Sequence, residues 1–377
     1  MRHFFLFMFG VVVAASLHGD WLLWLDSPGG RTNPHDPKNP LFASAPILTA
    51  TPIYSPTISP TFTSSSTTSP TPSNSPTTTL VPTPGIAGQD WIRATSAAGF
   101  SVRCEHSCVS FTAKIWVIGG ISGTYLNDVW SSSDGMTWGQ VTPSAAFAPR
   151  KGHTSVVFNN RIWVIAGENA GGYRNDVWSS LDGITWTQAT AAAAFTPRSV
   201  HTSVVFNNKM WVIGGTDNSG VSQNDVWSSS DGITWVQATA AAAFAARNFH
   251  TSVVYNNLMW VIAGGTVTIG DSNDVWYSAD GITWTQATAS AAFSRRDDHT
   301  SFIFNNLMWV IGGNDIGGTD LNDTWSSNDG ITWTQVTPAA AFAPRKYHGS
   351  TTFNGSMWVV GGIASGGIFE SDVWHSP

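Results

Sequence analysis

The sequence predicts an all-β fold: a six-bladed propeller with four antiparallel strands per blade. An N-terminal strand at residues 91–95 is expected to join the last blade and close the ring. Three observations carry this. First, one unit recurs six times. His106, His153, His201, His250, His299 and His348 follow one another at steps of 47, 48, 49, 49 and 49 residues. Arg103, Arg150, Arg198, Arg247, Arg296 and Arg345 keep the same steps. Second, each unit holds four short runs rich in β-branched and aromatic residues, and four strands in about 49 residues is a blade-sized period. Third, the sixth copy reaches only its third strand, "SDVWHSP", while "DWIRATSAAGF", which matches a fourth strand and the loop after it, precedes the first copy.

Taken in chain order, residues 1–19 read as a secretory leader. A short positive start, Met1-Arg2-His3, precedes a 14-residue apolar run from Phe4 to Leu17. That run is short for a membrane span, so a cleaved signal is expected, with cleavage between Ala15 and Gly19 and no transmembrane segment afterwards. The "WLLWL" that follows Asp20 keeps an uncleaved anchor as the alternative. Residues 20–85 read as a linker or stalk. Between Thr51 and Pro84, 27 of 34 residues are Pro, Ser or Thr and none is charged, a composition that buries no core and favours an extended spacer. Residues 86–377 form the propeller.

Within a unit, residues 198–239 serve as the example. "HTSVVFNN" is a β-branched run ending in a turn signal. "KMWVIGG" is a second strand, "TDNSGVSQ" a loop, "NDVWSSS" a third strand, "DG" a tight turn and "ITWVQAT" a fourth strand. The eighteen tryptophans after residue 90 occupy three repeated positions, on the second, third and fourth strands, where large rings fill the space between blades. The second residue of the Gly-Gly pair is glycine in all six copies, Gly120 to Gly362, which calls for a positive φ or a close backbone approach. The first is Ala166 and Ala263 in two copies.

Composition excludes several classes. The net charge is −7 with 11% charged residues and no basic stripe, so nucleic acid is not an expected partner. Cys104 and Cys108 flank His106. They read as free thiols or one local disulfide, and as ligands they are too few for a metal site. On an extended strand they would stand roughly 13 Å apart, so a disulfide would need a bend.

The Arg-x-x-His-Ser/Thr lead-in, the hydrophobic strand ending in glycine and the spaced aromatics resemble the kelch repeat, as in the central domain of galactose oxidase. The likeness covers about 290 residues and implies a six-bladed propeller. Trp130 and its counterparts stand where that family commonly shows Tyr. The family includes a copper radical oxidase and a sialic acid epimerase. The oxidase would need a particular Tyr, His and Cys set, which this chain lacks, so no metal or cofactor is expected. "SSSDGITW" also resembles the Asp-box hairpin of sialidases, one residue shorter, with the Asp capping its turn.

Repetition separates frame from site. The six arginines and six histidines read as structural, the arginines tying neighbouring blades. The two residues between them differ in every copy, and they share an end with the variable second-to-third loops, where binding usually resides. Candidate binding residues are therefore Glu105, Lys151, Phe249, Asp297, Asp298, Lys346 and Tyr347, with Tyr125 and Tyr173 from the loops. Mixed charge and aromatics suit a polar ligand. The preferred reading is a secreted or surface-tethered monomer that binds carbohydrate or protein without chemistry. The alternative is a carbohydrate-active enzyme of epimerase or lyase type, with Asp297 and Asp298 as catalytic groups beside a ring Arg and His.

Overall fold

A computed structural model describes residues 85–266 and 270–377 of the chain. The expected leader and, save Gly85, the expected stalk lie outside them. Among the described residues there is no helix, hence none long and apolar enough to cross a membrane. Every strand pairing is antiparallel, and the family of meanders is all-β.

Unit one has strands Ser107–Phe111, Lys114–Ile121, Tyr125–Ser132 and Gly139–Thr142, hydrogen-bonded in that order. The first strands of the later units are Thr154–Phe158, Thr202–Phe206, Thr251–Tyr255, Thr300–Phe304 and Gly349–Phe353. In the sixth, the third strand Ile368–Ser376 pairs with Ile92–Thr95, in the register Ile92↔His375 and Arg93↔Trp374. The N-terminal strand thus starts one residue later than the expected 91–95.

The hairpin joining the first two strands is the two-residue turn that "NN" signals. Asn207 and Asn208 sit at φ 47° and 55°, the backbone a twisted hairpin needs. The second strand carries a bulge before its constant glycine, between Ile213 and Gly215 in unit three. The bulged residue lies at φ 56–58° where it is Gly119, Gly214, Gly312 or Gly361, and at φ 55° and 54° where it is Ala166 and Ala263. The constant glycine lies further out, at φ 94–99°. A Cβ on Gly215 would stand 2.6 Å from that of His201 and 2.8 Å from the Ser199 carbonyl. Both expected reasons for glycine therefore hold at this position.

The cores lie between units. Trp163 of unit two packs with Met210, Val212 and Trp235 of unit three. A Cβ on the turn glycine Gly183 would overlap the Trp116 indole, and Trp163, Trp211, Trp260, Trp309 and Trp358 stand likewise over Gly232, Gly281, Gly330, Gly88 and Gly135. One tryptophan set is placed differently from expectation. Trp91, Trp138, Trp186, Trp235, Trp284 and Trp333 sit just before the fourth strands, not on them. There each indole donates to the carbonyl of its own turn glycine, as Trp235 does to Gly232 at 3.2 Å. The Asp of that turn caps it as expected: Asp231 Oδ1 accepts from the backbone of Ile233 and Thr234, both at 2.8 Å.

Candidate functional site

The lead-in crosses from one unit to the next at the end where second strands finish. Arg198 pairs with Asp217 of its own unit and with Arg174 of the preceding one. Its side chain is fully buried. The guanidinium grips Asp225 of its own third strand with both oxygens, at 2.6 and 2.8 Å, and donates to the Gly214 carbonyl at 2.8 Å. It also lies 5.5 Å from the Phe195 ring centroid. All six arginines repeat the carboxylate grip. The expected arginine tie between neighbouring blades is corrected here. The side chain braces its own unit, and the backbone makes the link: Arg150 N donates to Leu126 O at 2.8 Å, and its carbonyl accepts from Gly120 N at 2.9 Å. Burial pushes the Asp176 and Asp274 carboxyls up, but the hydrogen bonds and charge of Arg150 and Arg247 outweigh it, and both end below the usual range.

The histidines supply the side-chain link between units. Nε2 of His153, His201, His250, His299 and His348 lies 2.9–3.0 Å from Ser107, Thr154, Thr202, Thr251 and Thr300 of the unit before. Burial, then the nearby arginine charge, pushes every ring well below its ordinary value, to about 3 at His153 and His348. They are neutral imidazoles at neutral pH. His106 differs, because the residue facing it is Gly349. Cys108 Sγ fills the space where a residue-349 Cβ would stand, and His106 Nε2 lacks the hydroxyl partner that the other five rings have. Cys104 and Cys108 are free thiols. Burial raises both, Cys108 to about 12, so they stay protonated. Among the described residues no three His, Cys, Asp or Glu side chains converge as metal ligands.

The two variable lead-in residues part company. The first of each pair bridges to the second strand, as Asp297 does with Asn314 and Lys151 with Glu168. The second turns left-handed: Glu105, Gly152, Val200, Phe249, Asp298 and Tyr347 have φ between 50° and 58°. Their backbones bond in sequence, each N–H to the carbonyl of its counterpart one unit back, at 2.9–3.2 Å, and Glu105 N donates to Tyr347 O. These six residues and the six histidines line a cavity of about 180 Å³.

Of the candidate binding residues, Glu105, Phe249, Asp298 and Tyr347 meet at this cavity. Phe249 and Tyr347 stand edge to face, 5.6 Å apart. Lys151 is buried beside it, 3.3 Å from Glu105 and 3.6 Å from Glu168, and the Tyr125 hydroxyl donates to Glu168 at 2.6 Å. Lys346 is 3.2 Å from Asp320. Tyr125 and Tyr173, expected in the loops, stand instead at the start of third strands, Tyr125–Ser132 and Gly172–Ser180; Tyr173 is half-buried, and burial and Glu168 raise its hydroxyl to about 12. Asp297 is buried and is not among the residues lining the cavity, whereas Asp298 is. Burial and the neighbouring Asp297 charge hold the Asp298 carboxyl well above the usual range.

The model of the KLHDC2/KLHL20/DRC7 Kelch-repeats domain matches residues 87–229, and that of the DUF6242 beta propeller domain matches residues 203–328. The chain belongs to the kelch-repeat β-propeller family. No curated protein matches it. In this kelch propeller, sequence reasoning passed over the arginine's partner. Asp128, Asp176, Asp225, Asp274, Asp323 and Asp372 recur once per unit, with the same period as the arginines they bind. That shared period was the available signal. The Asn before it in five units was passed over too: Asn224 Nδ2 holds the carbonyls of Ala242 and Phe244 in the next lead-in.

Proposed function

We propose that this chain is a secreted or surface-held binding module: a closed six-bladed propeller that takes a carbohydrate or protein ligand at its lead-in end. The ring reading is supported by the pairing of Ile92–Thr95 with the last strand and by backbone bonds that run from Glu105 through all six lead-ins to Tyr347. The binding reading rests on one observation. Six equivalent positions line the cavity with one backbone conformation, yet each carries a different side chain over a repeated Arg, Asp and His frame. A frame repeated six times needs no variation there, whereas a site specific for a ligand does. The secreted placement rests on the leader and stalk composition, and a monomer is the expected state.

The test is a panel of glycans and peptides, read for binding and for product, with wild type, Tyr347→Ala and Phe249→Ala. Binding that both variants weaken at least tenfold, with no product, is the expected result. Binding that neither variant changes would move the site elsewhere. Turnover would revive the enzyme reading, with Asp298 rather than an aspartate pair as its acid.

A further inference from the structure

We propose that the chemical group this cavity receives is a primary ammonium, carried by an amino sugar or by a peptide amine. The inference rests on the binding-module reading above and narrows it.

Asp298 is 9% exposed, and its buried Oδ1 has no hydrogen-bond partner. A buried acceptor without a donor is unfavourable, and a ligand that brings an N–H removes the deficit. Asp298 lies in the ring of lead-ins between Phe249 and Tyr347, the two cavity aromatics, and aromatic faces attract cations. Glu105 adds a second carboxyl to the lining. No lysine or arginine lines it: Lys151 is held by Glu105 and Glu168, Lys346 by Asp320, and the six arginines by their aspartates. The imidazoles are uncharged. The cavity is therefore acidic and aromatic, with no cation of its own.

Size and donor geometry choose among cations. The volume is below the roughly 300–1,000 Å³ of a drug-sized pocket, so a small head group fits. A divalent metal would need more converging ligands than are present. A guanidinium prefers both oxygens of a carboxylate, whereas the unpartnered acceptor here is the single Oδ1 of Asp298. A compact ammonium needs a single open oxygen and an aromatic wall.

Binding also bears on the titration of Asp298. Asp298 faces Asp297, Lys346, Glu105 and Tyr347, and burial with the Asp297 charge holds its carboxyl well above the usual range. An ammonium placed at Oδ1 favours the carboxylate and draws that value down.

The experiment is calorimetric titration with n-butylammonium, n-butanol and butyrate, then glucosamine against glucose, and a lysine peptide against its ε-acetylated form. Wild type is expected to bind n-butylammonium at least tenfold more tightly than n-butanol, and not to bind butyrate. The glucosamine and lysine arms identify the carrier. Asp298→Asn, close in shape, should abolish the preference for the amine. Phe249→Leu should weaken it several-fold while melting as wild type does. Equal affinity for amine and alcohol, or an unchanged Asp298→Asn, would overturn the proposal. If neutral glycans bind and Tyr347→Ala abolishes that binding, the ammonium falls while the binding module stands. If nothing in the set binds, both fall.

Discussion

Cys108 and Gly349 face each other between the sixth and first units, and together they replace a hydroxyl pair found at the next four junctions. At those junctions a Ser or Thr meets a Ser of the following unit at 2.6–2.7 Å. Here the larger sulfur fills the volume that the glycine leaves. Gly349→Thr alone should cost on the order of 1–3 kcal/mol through overcrowding. Adding Cys108→Ser should recover most of that loss and give His106 Nε2 a hydroxyl partner. A double-mutant cycle read by urea unfolding checks this, and additive single effects would show that the two side chains do not share the space. Residue identity was legible where chemistry is local. "NN" announced a two-residue turn, and the constant glycine announced its left-handed backbone. It was not legible at Thr112 and Ala113, which adopt the same turn at φ 47° and 53° with no sequence cue. The cavity positions were half legible. Variation marked two residues per lead-in, but Val200 and Phe249 are poor left-handed residues, so nothing local indicated that only the second would line the cavity.

At the level of the element, the N-terminal strand matters more than its four residues suggest. It brings Trp91, 6% exposed, edge to face with Phe342 at 5.0 Å, and seats Gly88 under Trp309. Trp91→Ala should cost roughly 3–5 kcal/mol, and deletion of residues 90–100 more, while deletion of 20–84 should leave the melting temperature unchanged. Equal melting of the two deletions would remove the N-terminal strand from its place beside Ile368–Ser376. This strand was readable because its sequence repeats that of other fourth strands. The arginine's role was misread for a related reason. Repetition shows that a residue serves the frame, but not which partner folds back to it. The bulge in the second strand and the pairing of the third bring the Gly214 carbonyl and Asp225 to Arg198, contacts 16 and 27 residues away in sequence.

The molecule as a whole should be acid-labile. All six lead-in histidines are buried and their folded values lie below the ordinary 6.5, at about 3 for His153 and His348. From pH 6.5 down to about 3 the unfolded chain binds protons that the folded chain refuses. Stability is therefore full above 6.5 and falls as pH drops, by about 1.4 kcal/mol per pH unit for each ring that remains neutral. The arginine-bound Asp176 and Asp274 add a loss of the same sign at the acidic end, and Asp298, with its raised value, opposes them. Urea midpoints from pH 8 to pH 4 should be flat at first and then fall steeply, and His201→Gln should lessen the slope by one proton. A midpoint at pH 4.5 equal to that at pH 7.5 would mean that the imidazoles take up protons in place. The number of repeats and their strand content were legible at this scale, since a period survives any ignorance of contacts. The cavity was not, because it exists only where six lead-ins 47–49 residues apart come together.

The loop of backbone bonds through Glu105, Gly152, Val200, Phe249, Asp298 and Tyr347 uses only main-chain atoms. Donors and acceptors are thus occupied whatever side chain the position bears, and residues as unlike as glycine, valine and tyrosine already tolerate the same φ. Side-chain identity at these six positions is in this way uncoupled from the backbone hydrogen bonds. A library randomised at these six codons alone would keep one scaffold while sampling many cavity chemistries, so new specificities are reachable through single substitutions.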